Sequence, residues 1–341
     1  MNTFPTPPPR SMIRLTTVEL RRLTARRLTV IGVLGVLAIT ALLLVATWID
    51  AKPPSEAEQR QSQAQFETAH QYWEEHAEED RARCAEEWQK QPDPKPALDE
   101  MCNYPEPRID DFGKPRAVFA ESMPELLLGS SYLLLFAAFL IGASFLGAEF
   151  STGAIGNWLT FEPRRLRVYG SKLLAAAIGL APVAAAVLAI LTLGTYLIVD
   201  QLGDTSSTTG KVWGDLTATA GRAVLLIAVG AALGGVVGLL LRHTAAAIGV
   251  AMGYLVLIEG VFAGFLNKAQ PWLVKLNFDA FVRHDTTYYV NECSTGDDGS
   301  YLCTGIEKTL SFEHGASYLG ILTVVLVLLG GAVFYRRDVN S

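Results

Sequence analysis

The chain has 341 residues, half of them hydrophobic, with four cysteines and a formal net charge of −6. No repeat suggests a solenoid or array, and basic residues that lead straight into an apolar run argue against nucleic acid as a partner. The net charge averages two oppositely charged faces, because the apolar residues are gathered into blocks separated by polar stretches at 49–125 and 267–315.

Met1–Arg10 is proline-rich and predicted to be disordered. Over Met12–Arg27 the spacing predicts a helix with Ile13, Leu20 and Leu23 on one side, flanked by Thr16, Thr17 and Thr24. Arg14, Arg21, Arg22 and Arg26 fall mostly on the other. Such a helix lies in the headgroup layer; the plainer reading is a positive flank to the next segment. A bilayer needs about 20 apolar residues in a helix, and Thr29–Trp48 meets this without a charge. Its 28-residue basic leader is long for a cleavable signal, so it reads as a signal anchor (TM1, 29–48).

The segment 49–125 carries 9 basic and 19 acidic residues. Pro53-Pro54 stops the first helix, and Ser55 with Glu58 forms a capping box for a new one. Phe66, Trp73, Ala77, Cys84 and Trp88 step by sevens and fours, which marks one packing stripe on a long acidic helix ended by Pro92, Pro94 and Pro96. Further apolar blocks follow at 126–148 (TM2), 171–199 (TM3), 218–241 (TM4), 244–266 (TM5) and 316–335 (TM6). Between them lie a connection at 149–170, a loop at 200–217 and the polar segment 267–315, with a short tail at 336–341. Within 267–315, Gln270–Phe281 looks amphipathic, and Thr286–Cys293 and Tyr301–Leu310 flank Gly296-Asp297-Asp298-Gly299 as a hairpin would. Gly230, Gly234 and Gly238, then Gly249 and Gly253, then Gly260 and Gly264, are each four apart, a spacing that lets helices approach closely in lipid. The expected fold is thus all-α and polytopic: six transmembrane helices, an interfacial N-terminal helix, an extracytoplasmic helical insertion and a small outer hairpin.

Lys and Arg near the span ends set the orientation. With both termini in the cytoplasm, the inner segments carry Arg10, Arg14, Arg21, Arg22, Arg26, Arg27, Arg164, Arg165, Arg167, Arg242, Arg336 and Arg337, against Glu19, Glu149, Glu162 and Asp338. Cys84, Cys102, Cys293 and Cys303 then all fall outside, where disulfides form, with Cys84–Cys102 and Cys293–Cys303 the favoured pairs. The sharper alternative, a metal site from Cys84, Cys102 and His76, lacks the usual CxxC spacing.

Enzyme motifs are missing: no GxxxxGK[ST], HExxH or GxSxG occurs, and the five histidines form no evident triad or metal cluster. The chain is therefore expected to be no enzyme, with no metal or cofactor of its own. Charges at membrane depth are costly and worth a functional hearing. Here Glu149, Lys172, Asp200, Arg222 and Glu259 sit near span ends, where long side chains snorkel. Glu259, about two turns from the outer boundary, is a candidate pathway residue or a simple interfacial carboxylate.

The connection from Gly147 to Arg165 has helical character, aromatic anchors and a basic end. Trp158, Leu159 and Phe161 offer an apolar knob to a cytosolic partner, and Arg164, Arg165 and Lys172 are placed to meet lipid phosphates or an acidic groove. At Glu149-Phe150-Ser151-Thr152-Gly153, Pro163-Arg164-Arg165 and Lys172 the sequence resembles the ABC-2-type permeases, the membrane subunits of ATP-binding cassette exporters. The Val18–Arg22 stretch and the Leu240–Ala246 turn match as well, while the long outer segment after the first span departs from the many members with a short loop there.

The resemblance implies a connecting helix at the N-terminus and a coupling segment around 149–165 that receives motion from an ATPase. It implies that 267–315 helps close the outer exit. Glu149, Phe150, Gly153, Trp158, Leu159, Phe161, Pro163, Arg164, Arg165 and Lys172 would carry the coupling. Inner segments under 30 residues are too short for a domain of about 100–200 residues, so ATP and Mg would be held by separate cytosolic ATPase subunits. Six spans suggest half a pathway, hence a second permease, identical or not. The resemblance thus predicts a plasma-membrane exporter of a hydrophobic or amphipathic substrate. The rivals are a membrane scaffold or sensor that binds a partner through its acidic outer helix, and a proton-coupled secondary transporter.

Overall fold

The structure is a computed structural model that describes residues 11–91, 97–151, 153, 156, 160, 162–295 and 301–336. It is almost wholly helical: α1 (Met12–Ala25), α2 (Arg27–Ala51), α3 (Glu56–Gln89), a short α4 (Leu98–Met101), α5 (Phe119–Ser151), α6 (Arg165–Leu202), α7 (Gly210–Leu241), α8 (Thr244–Gly253), α9 (Val274–Arg283) and α10 (Phe312–Arg336). Between α9 and α10 runs an antiparallel hairpin, β1 (Thr286–Thr295) with β2 (Tyr301–Leu310).

Among the described residues six helices are long and apolar enough to cross a membrane. Five are α2, α5, α6, α7 and α10, and the sixth is Thr244–Phe265, where α8 passes into a π-helical stretch over Tyr254–Phe262. The six fall where the sequence predicts spans, but three helices are longer than their apolar windows. α5 starts at Phe119, α6 runs from Arg165 to Leu202, and α7 starts at Gly210 under a Thr209 cap whose hydroxyl accepts from Val212 N at 3.4 Å. Hydropathy marks only what lipid covers; a helix ends where a cap or breaker ends it. The loop expected at 200–217 accordingly shrinks to 203–209. It is pinned by Asp204 N to Ala117 O at 2.8 Å and Phe119 N to Asp204 O at 3.1 Å.

Helices α5 and α7 form the centre, and glycine is the reason. A Cβ on Gly234 would strike the backbone of Phe139, one on Gly238 the backbone of Ala143, and one on Gly142 the backbone of Ala231. With no side chains between them the two backbones touch, so dispersion and weak Cα–H contacts replace the hydrophobic drive that lipid does not supply. Leu127, Phe145, Leu146, Ile227 and Val236 fill the flanks. The fifth span is the opposite: Gly249, Gly253 and Gly264 have nothing within 4 Å, and only 6% of its central window is buried, against 50% for α5 and α7. The expected close approach thus holds for the first glycine stripe and not, within this chain, for the others.

Helix α3 starts as its sequence predicts, with Glu58 N donating to Ser55 Oγ at 3.3 Å and Ser55 N to Glu58 Oε2 at 2.7 Å. Its apolar stripe packs on the segment that returns toward α5. Cys84 is bonded to Cys102, Trp73 Nε1 donates to Tyr104 O at 3.1 Å, and Phe66 meets Phe112 edge-on at 6.2 Å. With both thiols in a disulfide, the alternative metal site with His76 has no thiolate ligands. The second disulfide, Cys293–Cys303, joins directly opposed residues of the hairpin, as expected. The turn at 296–299 and the prolines at 92, 94 and 96 lie outside the described residues.

Candidate functional site

Both described chain ends and the two flanks of the 149–170 connection gather at one end of the bundle. Ser11 caps α1, its hydroxyl accepting from Arg14 N at 3.3 Å. The face that α1 buries is Leu15, Glu19 and Leu23, one turn apart, whereas Ile13 is 80% exposed. The predicted apolar side of this helix is therefore corrected by about a quarter turn of rotation. Leu20 and Leu23 lie against Gly179 of α6, where any Cβ would meet them below 3 Å. A carboxylate thus sits inside the contact between a leucine pair and a span.

Lys172 of α6 answers that carboxylate. Its Nζ lies 2.9 Å from Glu19 Oε1 and 2.6 Å from Glu149 Oε2, at the end of α5. Arg22 completes the set, 3.0 Å from Glu149 and 3.4 Å from Glu19. Arg26 donates to Phe145 O at 2.9 Å, and both Arg26 and Lys172 lie over the Phe145 ring, at 5.7 and 5.2 Å. The Lys172 and Glu19 side chains are each 1% exposed. Two cations and two anions cancel, which is the condition for keeping four charges in so little water. Burial lifts the Glu19 carboxyl above its ordinary pKa, partly offset by Lys172.

The cluster joins α1 to the end of α5 and the start of α6, the two helices that flank the connection. It fastens α1 mechanically to both sides of that segment. Lys172 is consequently not available to lipid phosphates, and it does not snorkel: its partners, Glu19 and Glu149, are inside the protein.

The other expected coupling residues scatter. Gly153 is exposed with φ +69°, a left-handed turn that glycine makes without strain. Pro163 and Arg164 are exposed, and Arg165 donates to Tyr335 O at 3.3 Å, which ties the start of α6 to the end of α10. Trp158, Leu159, Phe161 and the side chain of Phe150 lie outside the described residues.

At the opposite end α9 is wedged among the spans, with Asn277, Phe278, Asp279, Ala280 and Val282 buried. It is therefore more deeply seated than the interfacial position its amphipathic sequence suggests. Tyr132 of α5 donates to Asp279, and Lys275 pairs with Asp279 at 3.0 Å. Arg222 of α7 donates to Val282 O at 3.0 Å, and Arg283 meets Glu125 at 2.6 Å. Glu259 accepts from Tyr254 Oη at 2.7 Å and from Lys275 N at 3.0 Å. That carboxylate latches the fifth span to α9.

Sequence reasoning missed Glu19 as a partner for Lys172, and it missed Tyr132 and Asp279. A signal existed for the first: Leu15, Glu19 and Leu23 step by four, which places an acid on the apolar row of an arginine-rich helix. None existed for Tyr132 and Asp279, 147 residues apart.

Six apolar helices and a charge-closed end define a multi-pass membrane protein. A family model described as protein of unknown function (DUF2705) matches residues 113–340, and the chain belongs to that family. No curated protein and no solved structure matches it.

Proposed function

We propose that this chain is the membrane-spanning permease subunit of an ATP-binding cassette transporter of the ABC-2 type. It sits in the cell membrane with both termini in the cytoplasm, works with separate cytosolic ATPase subunits and a second permease, and exports a hydrophobic or amphipathic substrate. The observation that carries this reading is the Glu19–Arg22–Glu149–Lys172 cluster. A transporter driven from outside its own chain needs a stiff joint where the push arrives. A buried ion cluster between α1 and both flanks of the 149–170 connection supplies one. ATP binding would bias two arrangements of the bundle by its different affinity for each, and the joint would carry the displacement of the connection to α1, α5 and α6 together. The permease itself breaks no bond; ATP and Mg belong to the partner.

The test is purification of the tagged full chain from its native membrane in nanodiscs, with mass spectrometry of what co-elutes. A stoichiometric P-loop ATPase, lost from the Trp158→Ala, Phe161→Ala double variant, is the expected result. Recovery of an outer-face protein with no ATPase would replace the transporter by a scaffold or sensor. Substrate movement that follows a proton gradient and requires Glu259, with no need for ATP, would make it a secondary carrier.

A further inference from the structure

The transport reading uses nothing of the insertion between α2 and α5, yet a groove with a volume of about 890 Å³ lies there. One wall is α3 and the other is the return segment from Asn103 to Phe112. The wall is held in place at fixed points. These are the Cys84–Cys102 bond, the Tyr104 carbonyl, which accepts from Trp73 at 3.1 Å and Arg81 at 2.8 Å, and the pair of His70 with Glu106 at 3.0 Å. The opening is therefore a built feature rather than a gap between loose chains.

Its lining is chemically specific. Tyr72, Trp73, Tyr104 and Phe112 present aromatic surface, Ala77 leaves room at the floor, and Asp80 places a carboxylate beside Tyr72, whose hydroxyl donates to it at 3.3 Å. Asp80 has one further partner, Arg83 at 3.6 Å, but that arginine is 60% exposed and also pairs with Glu79 at 3.1 Å, so it can be displaced. Aromatic faces with a carboxylate among them attract an organic cation through the ring quadrupole and the charge together, and the volume lies in the range of small-molecule sites, about 300–1,000 Å³. The surrounding charge agrees: with 19 acidic and 9 basic residues, residues 49–125 carry a formal charge of 9 − 19 = −10, which raises the local concentration of cations.

We infer that the groove between α3 and the Asn103–Phe112 segment binds a cationic amphipath, a molecule with a bulky apolar or aromatic body and a single positive charge. The site stands apart from the transport reading: it needs neither an ATPase nor a second permease.

A pair of ions alike in size and shape and opposite in charge tests it directly. The full chain in phosphatidylcholine nanodiscs is dialysed to equilibrium against tetraphenylphosphonium or tetraphenylborate, with empty nanodiscs subtracted. Saturable binding of one tetraphenylphosphonium per chain, at least tenfold tighter than tetraphenylborate, is expected. Asp80→Asn preserves volume and removes the charge. It should weaken the cation at least fivefold, with intact disulfides confirmed by mass spectrometry. Equal binding of both ions, or cation binding unchanged in this variant, would overturn the site and assign the uptake to lipid.

Discussion

The two ends of the helical bundle hold their charges in different ways. At the end that gathers α1 and the described chain ends, four ionic side chains face one another and two of them are all but sealed from solvent. At the other, α9 is fixed by single bonds to several spans: Asp279 to the Tyr132 phenol, the Val282 carbonyl to the Arg222 guanidinium, the Lys275 N–H to the Glu259 carboxylate. The first arrangement is all-or-none, since each ion needs the rest to stay buried. The second is divisible, because each bond serves a different neighbour and several lie partly open. A joint that must transmit a push benefits from the first, and a plug that must loosen stepwise benefits from the second.

The comparison breaks most visibly at Lys172. Lys172→Ala leaves Glu19 and Glu149 with only the partly exposed Arg22 as a cation, and a loss of about 3–5 kcal/mol is expected for a broken buried pair. Thermal unfolding in detergent, with protease clipping of α1 as the local readout, measures it. Replacing Glu19, Arg22, Glu149 and Lys172 together by methionine sharpens the point: stability should return close to wild type, because no charge of the cluster is left stranded. At the far end Asp279→Ala strips a partner from the Tyr132 hydroxyl and from Lys275, for a loss of about 1–3 kcal/mol, read by the same melt. Lys275→Ala should cost about 0–1 kcal/mol, as its side chain is 55% exposed and the pair is open to water. If the two ends lost equal stability on removing Lys172 and Lys275, the distinction between them would fail.

The smallest effect lies outside the bundle, at the start of α3. Glu58 accepts from Ser55 N and Oγ, and these bonds hold its carboxyl below the ordinary value of 4.5. Because the folded pKa is depressed, the stabilisation is present above that value and is lost as pH falls through the folded one. Hydrogen exchange should show the first turn of α3 fraying below about pH 4.5 while α5 and α7 stay protected.

What the sequence revealed, and what it concealed, follows from distance along the chain. The spans, the Ser55–Glu58 box, the hairpin and both disulfides are local patterns, with separations of 18 and 10 residues for the two bonds. Glu149 and Lys172 stood out because charges beside apolar runs are rare, yet the second carboxylate on Lys172, Glu19, is 153 residues away from it. No periodicity reaches that far. The glycine stripes show a second limit. Gly230, Gly234 and Gly238 touch α5, while a Cβ on Gly249 or Gly253, at the same spacing, would meet nothing within 4 Å among the described residues. Spacing announces that a close approach is possible, and only the neighbour decides whether it happens.

The distance from Glu19 to Lys172 also orders the making of the protein. α1 and the first span leave the ribosome with a carboxylate whose buried counter-ion, Lys172, does not yet exist. At about 5–20 residues per second, the 153 intervening residues take roughly 8–30 s to appear. Only when the third span has entered the bilayer and brought its lysine into place can α1 settle, so the same contact that stiffens the finished molecule also marks the moment its first half is complete.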